Sequence, residues 1–252
     1  MSLNILLVGC NGAMGRTITN IVSDNDQYII SVGIDRFPAH ALYPTYQDFK
    51  DIKEQVDVIV DFSSKELLAS ILAFSTERKL PLVLCTTGYD ENDYEAIKKA
   101  SVGIPIFNSS NMSYGVNVVV KLIEQASRLM SEGYDIEIIE RHHNLKKDAP
   151  SGTAKMMIRA INNSLEDERN CVYGRAGNES IRQEKEIGVH SIRGGTISGD
   201  HSVIFAGKDE VIEIHHSALS KRVFAEGALK AASYLSGKKP GLYDMNRMIE
   251  NN

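Results

Sequence analysis

The stretch 3-LNILLVGCNGAMGRTITNIVS-23 decides the fold. Leu3–Val8 is an apolar run that reads as a strand, and Ala13–Ser23 carries helical spacing. Between them Gly9, Gly12 and Gly15 make a glycine-rich turn that opens the helix. A turn of this kind lets a backbone come close to a pyrophosphate seated on helix N–H groups. The spacing is G-x-x-G-x-x-G, not the commoner G-x-G-x-x-G, and alone it fits a structural turn equally well. Its context adds weight. Tyr28–Ile34 reads as a second strand, and Asp35 ends it twenty positions after Gly15, where an acid can bond ribose hydroxyls. No Gly-Lys-Ser/Thr follows the turn, which argues against a triphosphate loop.

The adjacent Arg36 sharpens the expectation. An acid suits an unmodified ribose, as in NADH, whereas a guanidinium pairs a 2′-phosphate, as in NADPH. Having both suggests tolerance of either cofactor; an ordinary solvated arginine is the plain alternative.

Outward from this unit the pattern repeats. Val56–Val60, Leu82–Cys85 and Ile104–Phe107 read as strands, with helices near Lys65–Arg78 and Glu91–Lys99. Alternation of this kind predicts a parallel sheet with helices on both faces, a Rossmann-like α/β domain. The loops 61-DFSS-64, 85-CTTG-88 and 108-NSSNMSYG-115 should then share the carboxyl side of the sheet, where such folds bind ligands. Their small and hydroxyl side chains leave room for a ribose and nicotinamide.

The second half reads differently. A helix over Val116–Met130 precedes a strand over Tyr134–Glu140, and another helix runs from about Ser151 to Asn163. Ile187–Ile192, His201–Ala206 and Val211–His216 are strand-like and joined by short polar turns, which suggests a mostly antiparallel or mixed sheet. Asn162–Glu186 reads as a long loop, and a last helix spans Phe224–Leu235. Two domains are expected: residues 1–112 with 222–252, and an α+β domain over 113–221.

The chain is acidic, at net −5, yet 140-ERHHNLKKDAPSGTAK-155 gathers Arg141, His142, His143, Lys146 and Lys147 before a helix start. Pro150 is tolerated in a first helical turn, and Ser151 or Thr153 can cap it. Gly152 blocks nothing that approaches the first N–H groups. Lys146 and two imidazoles beside such a terminus suit the carboxylates of a small substrate. Lysines nearby should disfavour the His142 imidazolium, and a bound dianion should favour it. A metal site is disfavoured, because neighbouring histidines on an extended backbone point apart and no ligand spacing supports them. A solvated basic loop is the plain alternative.

The acidic balance argues against nucleic acid as main partner. Three scattered cysteines, Cys10, Cys85 and Cys171, fit a reducing, cytoplasmic compartment and make no disulfide framework. No apolar stretch reaches the length of a spanning helix, so no membrane is expected.

The run 140–154 closely resembles the signature E-x-H-H-x-x-K-x-D-A-P-S-G-T-A of the 4-hydroxy-tetrahydrodipicolinate reductase family, long called dihydrodipicolinate reductase. The resemblance continues in VGCNGAMGR at 8–16, DFS at 61–63, TTG at 86–88, SNMSYGVN at 110–117, GGTISGDH at 194–201, FAEGAL at 224–229 and GLYDM at 241–245. It implies hydride transfer from NADPH or NADH to a cyclic dicarboxylate, in the diaminopimelate route to lysine. Loss of water gives a conjugated imine, which is reduced to tetrahydrodipicolinate. By position His142 matches a proton donor and acceptor and Lys146 a proton donor, with His143, Gly152 and Thr153 as substrate contacts. Gly9, Cys10, Asn11, Gly12, Ala13, Met14, Asp35, Arg36, Cys85, Thr86, Thr87, Ser109, Ser110, Asn111 and Met112 match cofactor contacts, and Arg16 is placed to touch a phosphate. The family implies a homotetramer joined through the second-domain sheet. Cys85 stands where glycine is usual, Ser109 and Ser110 where alanines are common, and Lys221, beside Arg222, where a substrate-binding arginine is frequent.

Overall fold

In the computed structural model, residues 2–37, 42–178 and 180–250 are described. The ends of the expected first domain, residues 1 and 251–252, lie outside them. The chain forms two compact units, Met1–Tyr114 with Lys221–Asn252, and Gly115–Ser220.

The first unit is built on a parallel sheet. Its strands are β1 (Leu3–Val8), β2 (Tyr28–Ile34), β3 (Thr45–Tyr46), β4 (Val58–Asp61), β5 (Leu82–Leu84), β6 (Pro105–Asn108) and β12 (Gly241–Tyr243), in the order β12-β6-β5-β4-β1-β2-β3. Every pairing is parallel. Ile5–Val8 and Val58–Val60 are buried on both faces, which is why they read as continuous apolar runs. Alternate residues divide between two cores. Ile5, Leu7, Val58 and Val60 pack with helices α1 (Ala13–Val22) and α6 (Arg222–Leu235). Leu6, Val8 and Ile59 pack on the other side with α2 (Leu68–Arg78) and α3 (Glu91–Ala100). A 3-10 turn at Lys65–Leu67 precedes α2, so the expected single helix begins as two pieces. Because β1 lies between β2 and β4, strand order reverses beside it, and folds of this kind bind ligands at the carboxyl ends of strands at such a point.

The second unit carries a mixed sheet, β7 (Asp135–His142), β8 (Asn170–Tyr173), β9 (Glu186–Arg193), β10 (Asp200–Ala206) and β11 (Val211–Ser217), ordered β11-β10-β7-β9-β8. β10 runs antiparallel to β7 and β11, whereas β7, β9 and β8 are mutually parallel neighbours. Ile136, Ile138, Val189, Val203 and Phe205 share one buried face with residues of α4 (Tyr114–Leu129) and α5 (Gly152–Asn162). Ile192 and Val211, at alternate positions to that face, are exposed. Two sequence expectations change here. The supposed loop 162–186 contains β8, and β7 extends two residues beyond Glu140 so that His142 is a strand residue. β3, β12 and the short helix α7 (Met245–Glu250) had no sequence signal strong enough to predict them.

Candidate active site

In the first unit Gly9 has φ +78°, and a Cβ there would lie 2.8 Å from the Phe62 carbonyl oxygen. Only glycine meets both conditions. Gly15 sits on the first turn of α1 over this bend: a Cβ would come within 2.4 Å of the Gly9 and Cys10 carbonyl oxygens. Gly12 is the N-cap of α1, with no side chain capping it and no acid in the first turn. The residues Gly12, Ala13 and Met14 therefore present an uncapped helix terminus, which suits an anion. The Cys10 side chain is buried in the core, so a ligand contact at Cys10 falls to its backbone. Arg16 is exposed and its guanidinium donates to the Asn11 carbonyl, bracing the turn.

Asp35 follows β2. Its Oδ2 accepts the Asn11 backbone N–H at 2.9 Å and its Oδ1 accepts Phe37 N–H at 3.1 Å. An ionised carboxylate has about four acceptor positions, so two such bonds leave room for ribose hydroxyls. Arg36 is exposed, with its carbonyl accepting from Gln47.

The loops after β4 and β5 meet at Asp61. This fully buried carboxylate accepts from the backbone and hydroxyl of Ser63 and from the Thr86 hydroxyl. Burial pushes its carboxyl up, and the bonds from Ser63 and Thr86 oppose that. Cys85 is buried against it, and burial together with the Asp61 charge raises the thiol. Thr87 is exposed beyond it. After β6, the Ser109 hydroxyl donates to the Asn111 carbonyl and the Asn111 side chain accepts Ser113 N–H at 2.9 Å. Ser110 is exposed, whereas the Met112 side chain is buried in the core. The uncapped terminus, the glycine bend and Asp35 together fit a dinucleotide.

In the second unit Glu140 and His142 continue the inward face of β7 past Ile136 and Ile138. His142 Nδ1 lies 2.6 Å from Glu140 Oε2. The Arg193 guanidinium donates to both Glu140 oxygens at 2.8 Å, and Ser151 N–H donates to Oε1 at 3.2 Å. Burial alone would raise the Glu140 carboxyl, but hydrogen bonds from Arg193, Ser191 and His142 outweigh it and hold it at about 2. His201 stands edge-on to His142, ring centres 5.1 Å apart. Burial first, then the His142 charge, pushes His201 down to about 4 against the pull of Glu140. The nearest charge to His142 is therefore a carboxylate, not the lysine that the sequence suggested.

Lys146 pairs with Asp148 at 2.8 Å, and its backbone N–H turns back to His143. His143 is half-buried, and the next residues are pinned by Asn144 N–H to the Gly195 carbonyl. Ser151 is the cap of α5, accepting Ala154 N–H at 3.1 Å, and its hydroxyl also meets His201 Nε2 at 2.8 Å. Pro150 thus precedes the cap, two positions before the first helical residue, Gly152. A side chain at Gly152 would meet nothing within 4 Å, so the approach to this terminus is open, with Thr153 half-buried beside it. Lys221 is the N-cap residue of α6 in the first unit, and Arg222 is engaged with Glu226 at 2.8 Å.

His142, His143, Lys146, Gly152 and Thr153 come together on one strand-loop-helix segment, as their spacing suggests. Glu140, Arg193 and His201 had no assigned part, and Ser151 only that of a candidate cap. The alternation of Glu140 with His142 on one strand face was a readable signal; the 53-residue separation of Arg193 was not.

Comparison with known proteins decides the family. A model described as dihydrodipicolinate reductase, N-terminus, matches residues 3–112, and one described as its C-terminus matches 115–249. This chain belongs to the dihydrodipicolinate reductase family. A 4-hydroxy-tetrahydrodipicolinate reductase of Caldanaerobacter subterraneus subsp. tengcongensis is 46% identical over 250 residues, covering 99% of each chain. That of Clostridium tetani is also 46% identical, over 99% of this chain and 98% of the relative. Among solved structures, a dipicolinate-bound dihydrodipicolinate reductase from Paenisporosarcina sp. TG-14 superposes with TM-score 0.83 at 20% identity, covering 98% of this chain and 99% of that one. At that identity the likeness is one of reductase fold.

Proposed function

We propose that the chain reduces 4-hydroxy-tetrahydrodipicolinate, through its dehydrated conjugated imine, to tetrahydrodipicolinate with NADPH or NADH, in diaminopimelate and lysine biosynthesis. The observation that carries this reading is the segment from His142 to Thr153. It sets an imidazole, an ammonium and an open helix terminus within one stretch of a chain that belongs to this family. The two ring carboxylates are the groups that a helix N-terminus open at Gly152 and a lysine recognise. His143, Gly152 and Thr153 contact them, and Lys221 is a further substrate-binding candidate.

The nicotinamide cofactor, when bound, supplies a hydride to the conjugated imine. The chain's own residues hold the cofactor and handle protons. Gly9, Cys10, Asn11, Gly12, Ala13 and Met14 cradle the pyrophosphate through their backbone, Arg16 braces that bend, and Asp35 and Arg36 read the ribose. Cys85, Thr86, Thr87, Ser109, Ser110, Asn111 and Met112 line the nicotinamide side. Lys146 donates the proton that neutralises the reduced ring nitrogen, and His142 exchanges a proton through Nε2. Residues 1–112 with 222–252 form the dinucleotide-binding domain of this reading, and residues 113–221 its substrate-binding and oligomerisation domain.

Four chains associate through the outer face of the β7–β11 sheet, a reading supported by exposed Ile192 and Val211. The protein works in the cytoplasm; among the described residues no helix is long and apolar enough to cross a membrane. A coupled assay tests the function. The preceding synthase generates the substrate, and loss of reduced-nicotinamide absorbance is followed with each cofactor. Oxidation that depends on substrate supports the reading; none, in folded protein, overturns it.

A further inference from the structure

A charged network lies behind His142 that proton transfer to substrate does not itself require. Glu140 is fully buried, and a buried carboxylate is costly unless paired and hydrogen-bonded. Here it is satisfied on both oxygens: Arg193 at 2.8 Å to each, Ser151 N–H on one and His142 Nδ1 on the other. Arg193 is fixed in turn, donating to the Asp148 carbonyl at 2.6 Å. An ionised carboxylate only accepts, so the bond at 2.6 Å requires the proton on His142 Nδ1. In the neutral ring Nε2 is then the basic nitrogen. The space beside it is kept open by Gly199, where a Cβ would lie only 3.1 Å from Nε2.

We infer that Glu140 and Arg193 are positioning residues that hold the proton of His142 on Nδ1 and reserve Nε2 for proton exchange with the substrate. The inference rests on His142 being the proton-handling residue of the proposed reaction. Glu140 opposes the charge that Nε2 gains when it takes a proton. The two Arg193 bonds share the Glu140 charge and fix the carboxylate against Nδ1. His201, the other titratable group against the ring, is pushed towards its neutral form by burial and adds no competing charge at neutral pH. Lys146 is occupied with Asp148. The ring thus faces one carboxylate from β7, one guanidinium from the end of β9 and one neutral imidazole from β10.

Two measurements test this. In uniformly ¹⁵N-labelled protein without substrate, the His142 ring above pH 8 should show a protonated Nδ1 and a bare Nε2. Glu140→Gln should mix the two tautomers, since an amide can donate or accept, and Glu140→Asp should restore the wild-type pattern in part. A wild-type ring protonated on Nε2 overturns the inference, whether or not the protein reduces the proposed substrate. In the coupled assay, Glu140→Gln and Arg193→Gln should each lower kcat roughly ten- to hundredfold and shift the pH profile, with KM for NADPH unchanged. In a His142→Ala background, Glu140→Gln should cost less than about twofold, because its effect passes through the ring. An equal loss in both backgrounds would make Glu140 a structural residue and sink the proposal.

Discussion

The Asp35 carboxylate accepts the backbone N–H of Asn11 at 2.9 Å, joining the end of β2 to the glycine turn. One side chain therefore shapes the bend and, in the proposed reading, serves the ribose. Asp35→Asn keeps an acceptor oxygen for Asn11 but loses the charge. It should raise KM for NADH about tenfold or more while leaving the ligand-free melting temperature within a few degrees. Asp35→Ala should lose both, at about 1.5–3 kcal/mol of stability, because a part-buried N–H is left without its charged partner. Arg36→Ala should raise KM for NADPH and spare NADH. Cofactor titrations and thermal melts on the three variants check this; an Arg36→Ala that moved neither Michaelis constant would refute dual recognition.

Gly15→Ala should destabilise the protein without any change in chemistry. Its Cβ would meet two carbonyl oxygens at 2.4 Å, and backbone on both sides leaves nothing flexible to yield. A cost of about 1–3 kcal/mol is expected from overpacking, read as a lower urea midpoint at constant slope.

Two buried groups, His201 and Glu140, contribute to the acid limit of stability. His201 is held near 4 by burial and the His142 charge, below an ordinary 6.5, so the unfolded chain binds its proton first. Its contribution is present above pH 6.5 and is lost as pH falls towards 4. Glu140, held at about 2 against 4.5, gives stability that is full above 4.5 and lost as pH falls through 2. Each shift corresponds to an upper bound on the order of 3 kcal/mol. Denaturant titrations from pH 8 to 3 should show wild-type stability falling in two overlapping steps. His201→Gln should flatten the upper one and Glu140→Gln the lower.

Ser151 combines a helix cap with a contact to His201. Ser151→Ala should cost about 1–2 kcal/mol, the upper end of cap losses, since the His201 nitrogen also loses its partner. Ser151→Thr should recover most of it. Equal stability for the alanine variant, by chemical denaturation, would deny the cap its weight.

Light scattering at micromolar concentration should give four chains. Ile192→Glu combined with Val211→Glu should reduce the assembly, since both side chains lie exposed on the sheet face assigned to the interface. A wild-type monomer would refute that assignment.

The first unit was largely legible because its central strands are buried on both faces and stand out as apolar runs between helical spacings. What escaped was short and peripheral. β3, with two residues, and β12, with three, are paired at the two edges of the sheet and carry no period of their own. β8 hid in a polar stretch because it too is an edge strand, largely exposed. Of the substrate site, the local part was readable, since His142 to Thr153 is one segment. Its support was not: Arg193 reaches Glu140 only through the β7–β9 register, which pairs Glu140 with Ser191, and His201 only through β10.

Asp61 gathers the loops after β4 and β5 onto one buried carboxylate through Ser63 and Thr86. Neither loop can lift away without stranding an acceptor shared with the other. Their amide hydrogens should therefore exchange with solvent as a single opening event of common free energy, and a Thr86→Val substitution should speed exchange at Ser63, on a segment it does not belong to.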